Sequence, residues 1–121
     1  MQYYTFPKEL RLRNRREFRE VYDAGNTARS RFFVLFYLRR REDRPARLGI
    51  AVGRKFGKAV QRNRMKRLIR EAFRHLQHGL EPGVDIVINV RYKAEGLTQN
   101  QVSTELSSLF HNAGLLCFET N

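Results

Sequence analysis

Cationic side chains crowd one stretch in the middle of the chain. Residues 54–74 carry one acid, Glu71, and nine cations: Arg54, Lys55, Lys58, Arg62, Arg64, Lys66, Arg67, Arg70 and Arg74. Four of these would form a stripe with i, i+4 spacing on an α-helix: Arg62, Lys66, Arg70 and Arg74. Like charges at this spacing destabilise an isolated helix, and an ordinary surface helix interleaves them with carboxylates. The pattern therefore predicts a helix that binds phosphates, with an affinity that falls as salt rises.

Asn63 is a neutral residue inside this cationic stretch. Its amide offers a donor and an acceptor, which suits a ribose hydroxyl or a base edge. A hydrogen bond to nearby backbone is an equally open interpretation. Gly53 and Gly57 flank the preceding turn, and they predict a tight passage from a strand into the helix, whose N-terminus is itself a site for anions.

Aromatic residues supply a second candidate surface. Phe18, Tyr22 and Phe36 are predicted to line a groove where unpaired bases stack, a contact worth about 1–3 kcal/mol per base. The alternative for each of them is a place in the hydrophobic core. Phe32, Phe33 and Phe73 are assigned to the core outright.

The elements that must position these residues follow from the periodicity of the sequence. Asn14 followed by Glu17 predicts a helix start, and Gly25 ends that helix. The β-branched and aromatic run at 32–38 predicts a buried strand, and 48–52 a second one. We expect these two strands to pair as a hairpin.

The second half of the chain continues the pattern. Residues 59–77 read as the longest helix, because their apolar residues gather on one side at a 3.6-residue period. A strand is predicted at 84–90, and Thr98 with Gln101 forms a capping-box pattern before a last helix. The predicted fold is an α/β (α+β) sandwich in the order αβββαβα, with helices packed on a mixed central sheet.

Length and charge restrict the kind of domain and the kind of partner. The chain has 121 residues and a net charge of +12, which makes nucleic acid the first partner to consider. Residues 1–78 carry a net charge of +15 and residues 79–121 a net charge of −3, so we expect one basic surface and one ordinary surface. We expect a single RNA-binding domain over 1–121, with poorly ordered tails at 1–9 and 114–121.

The expected compartment is the cytoplasm. Cys117 is the only cysteine, so no intramolecular disulfide can form. No apolar run approaches the roughly 20 residues of a membrane span, and the first residues lack the apolar core of a signal peptide. We therefore expect no membrane partner.

Several segments resemble one known family. The string GKAVQRNRMKRLIREAF at 57–73 resembles the signature of the bacterial ribonuclease P protein, whose hallmark is Arg-Asn-Arg. Four further strings match that family in order and spacing: REFREVYDAG (16–25), RFFVLFYL (31–38), RLGIAVGRKFG (47–57) and GVDIVINVR (83–91). The resemblance implies a ribosomal-protein-like domain with a left-handed βαβ crossover, which the general right-handed preference would not have predicted.

The resemblance also implies a function and its residues. The family's protein binds the catalytic RNA subunit of ribonuclease P and helps to remove the 5′ leader of precursor tRNA. The matching RNA-subunit positions are Arg62, Asn63, Arg64, Lys66, Arg67 and Arg70. The matching positions of the leader cleft are Phe18, Tyr22 and Phe36, with Arg54 and Lys55 nearby. Relatives often have Tyr where this chain has Phe36, so stacking is expected there without a hydroxyl contact.

In this interpretation the RNA performs the phosphodiester chemistry with bound Mg²⁺, and the protein supplies no catalytic side chain, no metal ligand and no site for an obligate protein partner. A self-sufficient nuclease would need a carboxylate cluster or a histidine pair, and His75, His78 and His111 show no ligand spacing. A ribosomal or RNA-chaperone protein of similar fold remains the other alternative.

Overall fold

The computed structural model of the chain describes residues 10–116, which form a four-stranded sheet with three α-helices packed on it. The strands are β1 (Asn26–Arg29), β2 (Phe33–Arg39), β3 (Arg47–Val52) and β4 (Val84–Val90). Their order across the sheet is β1-β2-β4-β3. β2 pairs antiparallel with β1 and with β4, whereas β3 runs parallel to β4. The sheet is therefore mixed, as predicted.

The helices cover the two faces of the sheet unequally. α1 (Arg15–Asp23) packs on one face, against β2 and β4, while α2 (Ala59–Leu76) and α3 (Gln99–Asn112) pack on the other face and on each other. Side chains alternate between faces along a strand. In β4, Ile86 and Ile88 accordingly join the large core under α2 and α3, and Val87 joins a small cluster under α1.

The helix starts are fixed by the predicted caps. The Asn14 side chain accepts a hydrogen bond from the Glu17 backbone N–H at 2.9 Å. Thr98 accepts from the Gln101 N–H at 3.2 Å, and the Gln101 side chain accepts from the Thr98 N–H at 2.9 Å. These contacts satisfy N–H groups that have no partner within the helix. Both cap predictions are confirmed.

The predicted hairpin between the second and third strands is wrong, because β4 lies between β2 and β3. The connection from β2 instead arches over the start of β4, where the Arg40 N–H donates to the Gly83 carbonyl and the Gly83 N–H donates to the Arg44 carbonyl. Gly83 has φ +76°, and a Cβ there would lie 2.4 Å from the Glu42 carbonyl oxygen, so only glycine lets the loop pass this closely. The antiparallel hairpin is the one between β1 and β2.

The ends of the described segment bear on the predicted tails. Residues 1–9 and 117–121, which belong to those tails, lie outside the described residues. Residues 114–116 pack onto the fold: Leu115 is fully buried, its carbonyl accepts from the Glu81 N–H at 2.8 Å, and Leu116 bridges Leu80. The packed fold thus extends at least to Leu116. No helix within 10–116 is both long and apolar enough to cross a membrane.

Candidate nucleic-acid interface

The cationic helix α2 begins at a tight turn. Gly57 has φ +158°, and the following Lys58 N–H donates to the Gln61 side chain at 2.7 Å. The Arg62 guanidinium reaches back and donates to the Gly57 carbonyl at 2.6 Å. Arg62 therefore lies against the first turn of the helix, where it stays partly exposed.

The cations of α2 extend beyond the predicted i, i+4 stripe, because Arg64 and Arg67 lie outside it. Residues two apart on an α-helix differ by roughly 200° in direction, so Arg62 and Arg64 leave the helix on nearly opposite sides. Arg64 donates to the Leu97 carbonyl at 3.1 Å, near the start of α3. Asn63 and Arg67 lie between these two directions and are exposed. The six predicted RNA-binding residues thus share a wide polar arc, opposite the core-facing side at Met65 and Ile69.

Acidic partners for these cations are missing from the part of the chain that the structure describes. Within residues 10–116, no ion pair involves the five charged residues of the predicted set, which we call the α2 cations: Arg62, Arg64, Lys66, Arg67 and Arg70. The fourth member of the predicted stripe differs, because Arg74 pairs with Glu71 at 2.7 Å. The stripe is therefore neutralised at its C-terminal end.

The three predicted groove aromatics come together on the α1 face of the sheet, and we call their site the aromatic groove (Phe18, Tyr22 and Phe36). The rings of Tyr22 and Phe36 meet edge to face, with centroids 4.8 Å apart and planes at 82°. The Tyr22 hydroxyl donates to the Asn89 Oδ1 at 2.8 Å. Burial raises the Tyr22 pKa, partly offset by that hydrogen bond, so the phenol stays neutral.

Phe18 packs directly onto the backbone of β3. A Cβ on Gly49 would lie 2.5 Å from the Phe18 Cζ, so glycine is required for this approach. All three aromatics are partly buried around a small cluster of Leu12, Val21 and Val87. Each ring thus has a packed side and a partly exposed side, which makes it both a core residue and a possible stacking surface.

The two surfaces meet at a small pocket of about 100 Å³ lined by Arg11, Leu12, Phe18, Leu48, Gly49, Ile50 and Arg70. Burial, together with the positive charge of Arg11, lowers the pKa of Arg70. Arg70 was predicted as part of the RNA-subunit surface, but it also borders the aromatic groove. Arg11 was not predicted, since it precedes every recognisable helix signal; its place follows from its pairing with Leu48 of β3.

Arg54 and Lys55 lie beyond the carboxyl end of β3, in a short 3-10 turn anchored by buried Phe56. Both side chains are exposed. Within the described residues no hydrogen bond, ion pair or ring contact joins them to Phe18, Tyr22 or Phe36.

A further basic surface escaped the sequence-based prediction. Beside the aromatic groove, a pocket of about 540 Å³ is lined by Arg13, Asn14, Arg15, Phe18, Arg19, Tyr22 and Asp23. Arg15 and Arg19 are four residues apart, and that spacing was the available signal. Cations thus flank the rings from α1 as well as from α2.

Comparison with known proteins agrees with this architecture. The sequence profile of the family described as Ribonuclease P matches residues 6–114. The ribonuclease P protein component of Oceanobacillus iheyensis is 33% identical over 109 residues, which cover 90% of each chain. That of an Exiguobacterium species is 41% identical over 106 residues, covering 88% of this chain and 91% of the relative.

Solved structures give the same answer. The Staphylococcus aureus RNase P protein superposes with a TM-score of 0.82 at 31% identity, covering 90% of this chain and 99% of that one. The Thermotoga maritima RNase P protein superposes with a TM-score of 0.77 at 37% identity, covering 84% and 96%. In sequence and fold alike, the chain belongs to the ribonuclease P protein family, the protein component of the ribonucleoprotein endonuclease that processes the 5′ end of tRNA.

Proposed function

We propose that this protein binds the catalytic RNA subunit through the α2 cations with Asn63, and holds the single-stranded 5′ leader of precursor tRNA in the aromatic groove. Arg54 and Lys55 would contact the leader where it passes the end of β3. The protein would act in the cytoplasm, where precursor tRNA is made and processed. Its contribution is binding energy and lowered repulsion between two polyanions.

The observation that carries this proposal is the lack of acidic partners around the α2 cations. Five cations on one helix repel each other, and within residues 10–116 no carboxylate pairs with any of them. Phosphates of a folded RNA would supply the missing negative charge. Asn63, exposed at the centre of the arc, adds a donor and an acceptor for a ribose hydroxyl or a base edge.

The aromatic groove supports the second half of the proposal. Its rings are held in place by Gly49 and Asn89 but remain partly exposed. Base stacking on such rings tolerates any sequence, which a leader-binding site requires because leaders differ among tRNAs. The pocket shared by Phe18 and Arg70 would place a backbone phosphate beside a stacked base.

Magnesium enters this proposal as an ion held mainly by the RNA. Among residues 10–116, no group of three or more His, Cys, Asp and Glu side chains could hold a metal ion. The buried carboxylate, Asp85, is enclosed by Arg40, Arg44 and Arg47, whose charges oppose a divalent cation. The proposal therefore leaves magnesium mainly to the RNA and gives the protein the part of binding and orienting RNA.

Reconstitution at low magnesium tests the proposed function. Precursor tRNA would be incubated with the protein alone, with the catalytic RNA alone, and with both. We expect leader removal only when both are present. Cleavage by the protein alone would identify a self-sufficient nuclease, and no effect of the protein in any mixture would favour the ribosomal or RNA-chaperone alternative.

A pair of substitutions tests the aromatic groove itself. We expect Phe18→Leu with Phe36→Leu to weaken holoenzyme binding of long-leader substrates by about 1–3 kcal/mol per stacked base, and to leave short-leader substrates unchanged. Tyr92→Leu is the matched control, because Tyr92 is an exposed aromatic outside the groove. Equal losses for long and short leaders would show that the groove does not hold the leader.

A further inference from the structure

An ionic cluster lies beside the aromatic groove, on the same face of the sheet. Asp85, near the start of β4, is fully buried. Its carboxylate accepts hydrogen bonds from the Arg40 Nε at 2.5 Å and from the Arg47 Nε and Nη2 at 3.0 and 2.9 Å. The Arg44 Nη2 lies 3.1 Å from the Asp85 Oδ1, outside hydrogen-bonding geometry, and adds its charge. We call this group the Asp85 cluster (Asp85, Arg40, Arg44 and Arg47).

Two arginines of the Asp85 cluster extend to α1. The Arg47 Nη1 lies 3.1 Å from the Glu17 Oε2, and the Arg40 Nη2 lies 2.6 Å from the Glu20 Oε1. Glu17 and Glu20 are three residues apart and therefore share one side of α1. The buried carboxylate of β4 is thus linked to α1 at two points, each through one guanidinium.

The position of α1 depends on these two ion pairs more than the positions of α2 and α3 depend on theirs. It has nine residues, and a helix this short is not stable by itself in water. Val21 is its one fully buried side chain. Phe18 and Tyr22 face the sheet from this same short helix, so the distance and rotation of α1 set the shape of the aromatic groove.

We infer that Asp85 is a positioning residue for the leader: through Arg40–Glu20 and Arg47–Glu17 it fixes α1 over the sheet and so holds Phe18 and Tyr22 in stacking geometry. This inference rests on the proposed leader site. It assigns the cluster an effect on substrate binding that is separate from its effect on folding.

The two links can be cut while the buried cluster stays whole. Glu17→Gln with Glu20→Gln removes the two linking acids on α1 and leaves Asp85 with all three arginines. Glu42→Gln is the matched control, because Glu42 lines one surface pocket together with Glu17 and Glu20 and pairs with Arg44 at 2.6 Å, but no ion pair within the described residues links it to α1. Both variants lose negative charge next to an RNA site.

The sign of the effect separates positioning from simple electrostatics. Removing acids near a polyanion strengthens binding if charge alone matters. We expect the opposite for Glu17→Gln with Glu20→Gln: the affinity ratio of long-leader to short-leader substrate falls roughly fivefold or more, the equivalent of one stacked base. Glu42→Gln should leave this ratio unchanged, and all variants should bind the catalytic RNA as the parent protein does.

A thermodynamic cycle with Phe18→Leu completes the test. If the acids act through the ring, their removal costs little further leader affinity once Phe18 is gone. Additive losses, or a loss equal for long and short leaders, would overturn the inference. If Phe18→Leu alone leaves the ratio unchanged, the leader site itself is wrong. If Phe18→Leu lowers the ratio but the glutamine variant does not, only the positioning role is wrong.

Discussion

Two regions of this molecule are equally rich in arginine and use it in opposite ways. Residues 39–47 contain five arginines, of which four make ion pairs: Arg39, Arg40, Arg44 and Arg47. In α2, the five α2 cations make no ion pair within residues 10–116. The total charge therefore does not distinguish the two regions, whereas the placement of the acids does, and the surface that we propose for RNA is the one without internal acids.

Burial explains why the two regions differ. A buried carboxylate is costly unless charged partners enclose it, so the arginines around Asp85 serve the fold. Burial acts to raise the Asp85 pKa, but the hydrogen bonds from Arg47 and Arg40 and the nearby guanidinium charges outweigh it, and the net effect lowers that pKa. The α2 cations enclose no buried carboxylate within the described residues. We therefore propose them as the partners of an external polyanion.

The largest effect on stability is expected from replacing Asp85, the buried acid that Arg40, Arg44 and Arg47 enclose. Asp85→Ala leaves three guanidinium groups close together without their buried anion. We expect the free energy of unfolding to fall by about 3–5 kcal/mol, measured by urea denaturation. Arg67→Ala is the comparison in the other region, and we expect it to change stability by less than about 0.5 kcal/mol. Similar losses of stability in Asp85→Ala and Arg67→Ala would show that the two regions do not differ in their contribution to the fold.

The next effect is expected in RNA binding. Replacing Arg62, Lys66 and Arg67 with Ala should weaken binding of the catalytic RNA at least tenfold or so at low salt, because each cation neutralises a phosphate. The slope of log K against log salt should become shallower by about 2–3. Filter binding over a salt series measures both quantities.

Arg74→Ala provides the control on the same helix. Because Arg74 is already paired with Glu71, its removal should leave the salt slope nearly unchanged. Arg74→Ala could instead reduce the salt slope by as much as one third of the effect of the triple substitution. In that case, pairing with an internal acid would not predict which cations bind RNA.

Much of the fold could be predicted from local patterns. The helix caps at Asn14 and Thr98 and the apolar strand at Val84–Val90 lie where the sequence placed them, because each depends on neighbours within a few residues. Strand pairing depends on distant residues. No residue pattern within β2 or β3 indicates that β4 lies between them, so the hairpin prediction was wrong.

The same limit applies to the functional surface. The three groove aromatics lie together as predicted, in part because Phe18 and Tyr22 share a helix face, and their role in leader binding stays a prediction. The expected division into one basic and one ordinary surface used only the charge along the sequence, which does not show ion pairs such as Arg39–Glu81 between residues 42 positions apart. The contact between Arg70 and the Phe18 pocket was likewise invisible, because it requires the three-dimensional course of β3.

A smaller effect on stability is expected when the pH is lowered, and it comes from carboxylates that pair with arginines. The pKa values of Asp85 and Glu17 are lowered in the folded protein, although burial works against this in both. Their contribution to stability is complete above the unfolded carboxyl pKa of about 4 and is lost as the pH falls through the lower folded-state values.

Thermal unfolding between pH 6 and pH 2 measures this contribution. The parent protein should lose Tm steeply below about pH 4, and Asp85→Asn, which starts from a lower Tm, should lose less over the same range. If Tm fell equally with pH in both proteins, the arginines would not be lowering the pKa of Asp85 in the folded state.

The smallest predicted effect converts a paired cation into an unpaired one. Glu71 holds Arg74 at 2.7 Å and His75 at 2.8 Å on the exposed side of α2. Glu71→Gln should release Arg74 to the RNA surface, strengthen binding of the catalytic RNA a few-fold at low salt, and steepen the salt slope by up to about 0.7–0.9. Glu105→Gln on α3 makes the same charge change away from α2 and should do neither. If both variants changed binding equally, net charge rather than the freeing of Arg74 would set the affinity, and the contrast between paired and unpaired arginines would lose its functional meaning.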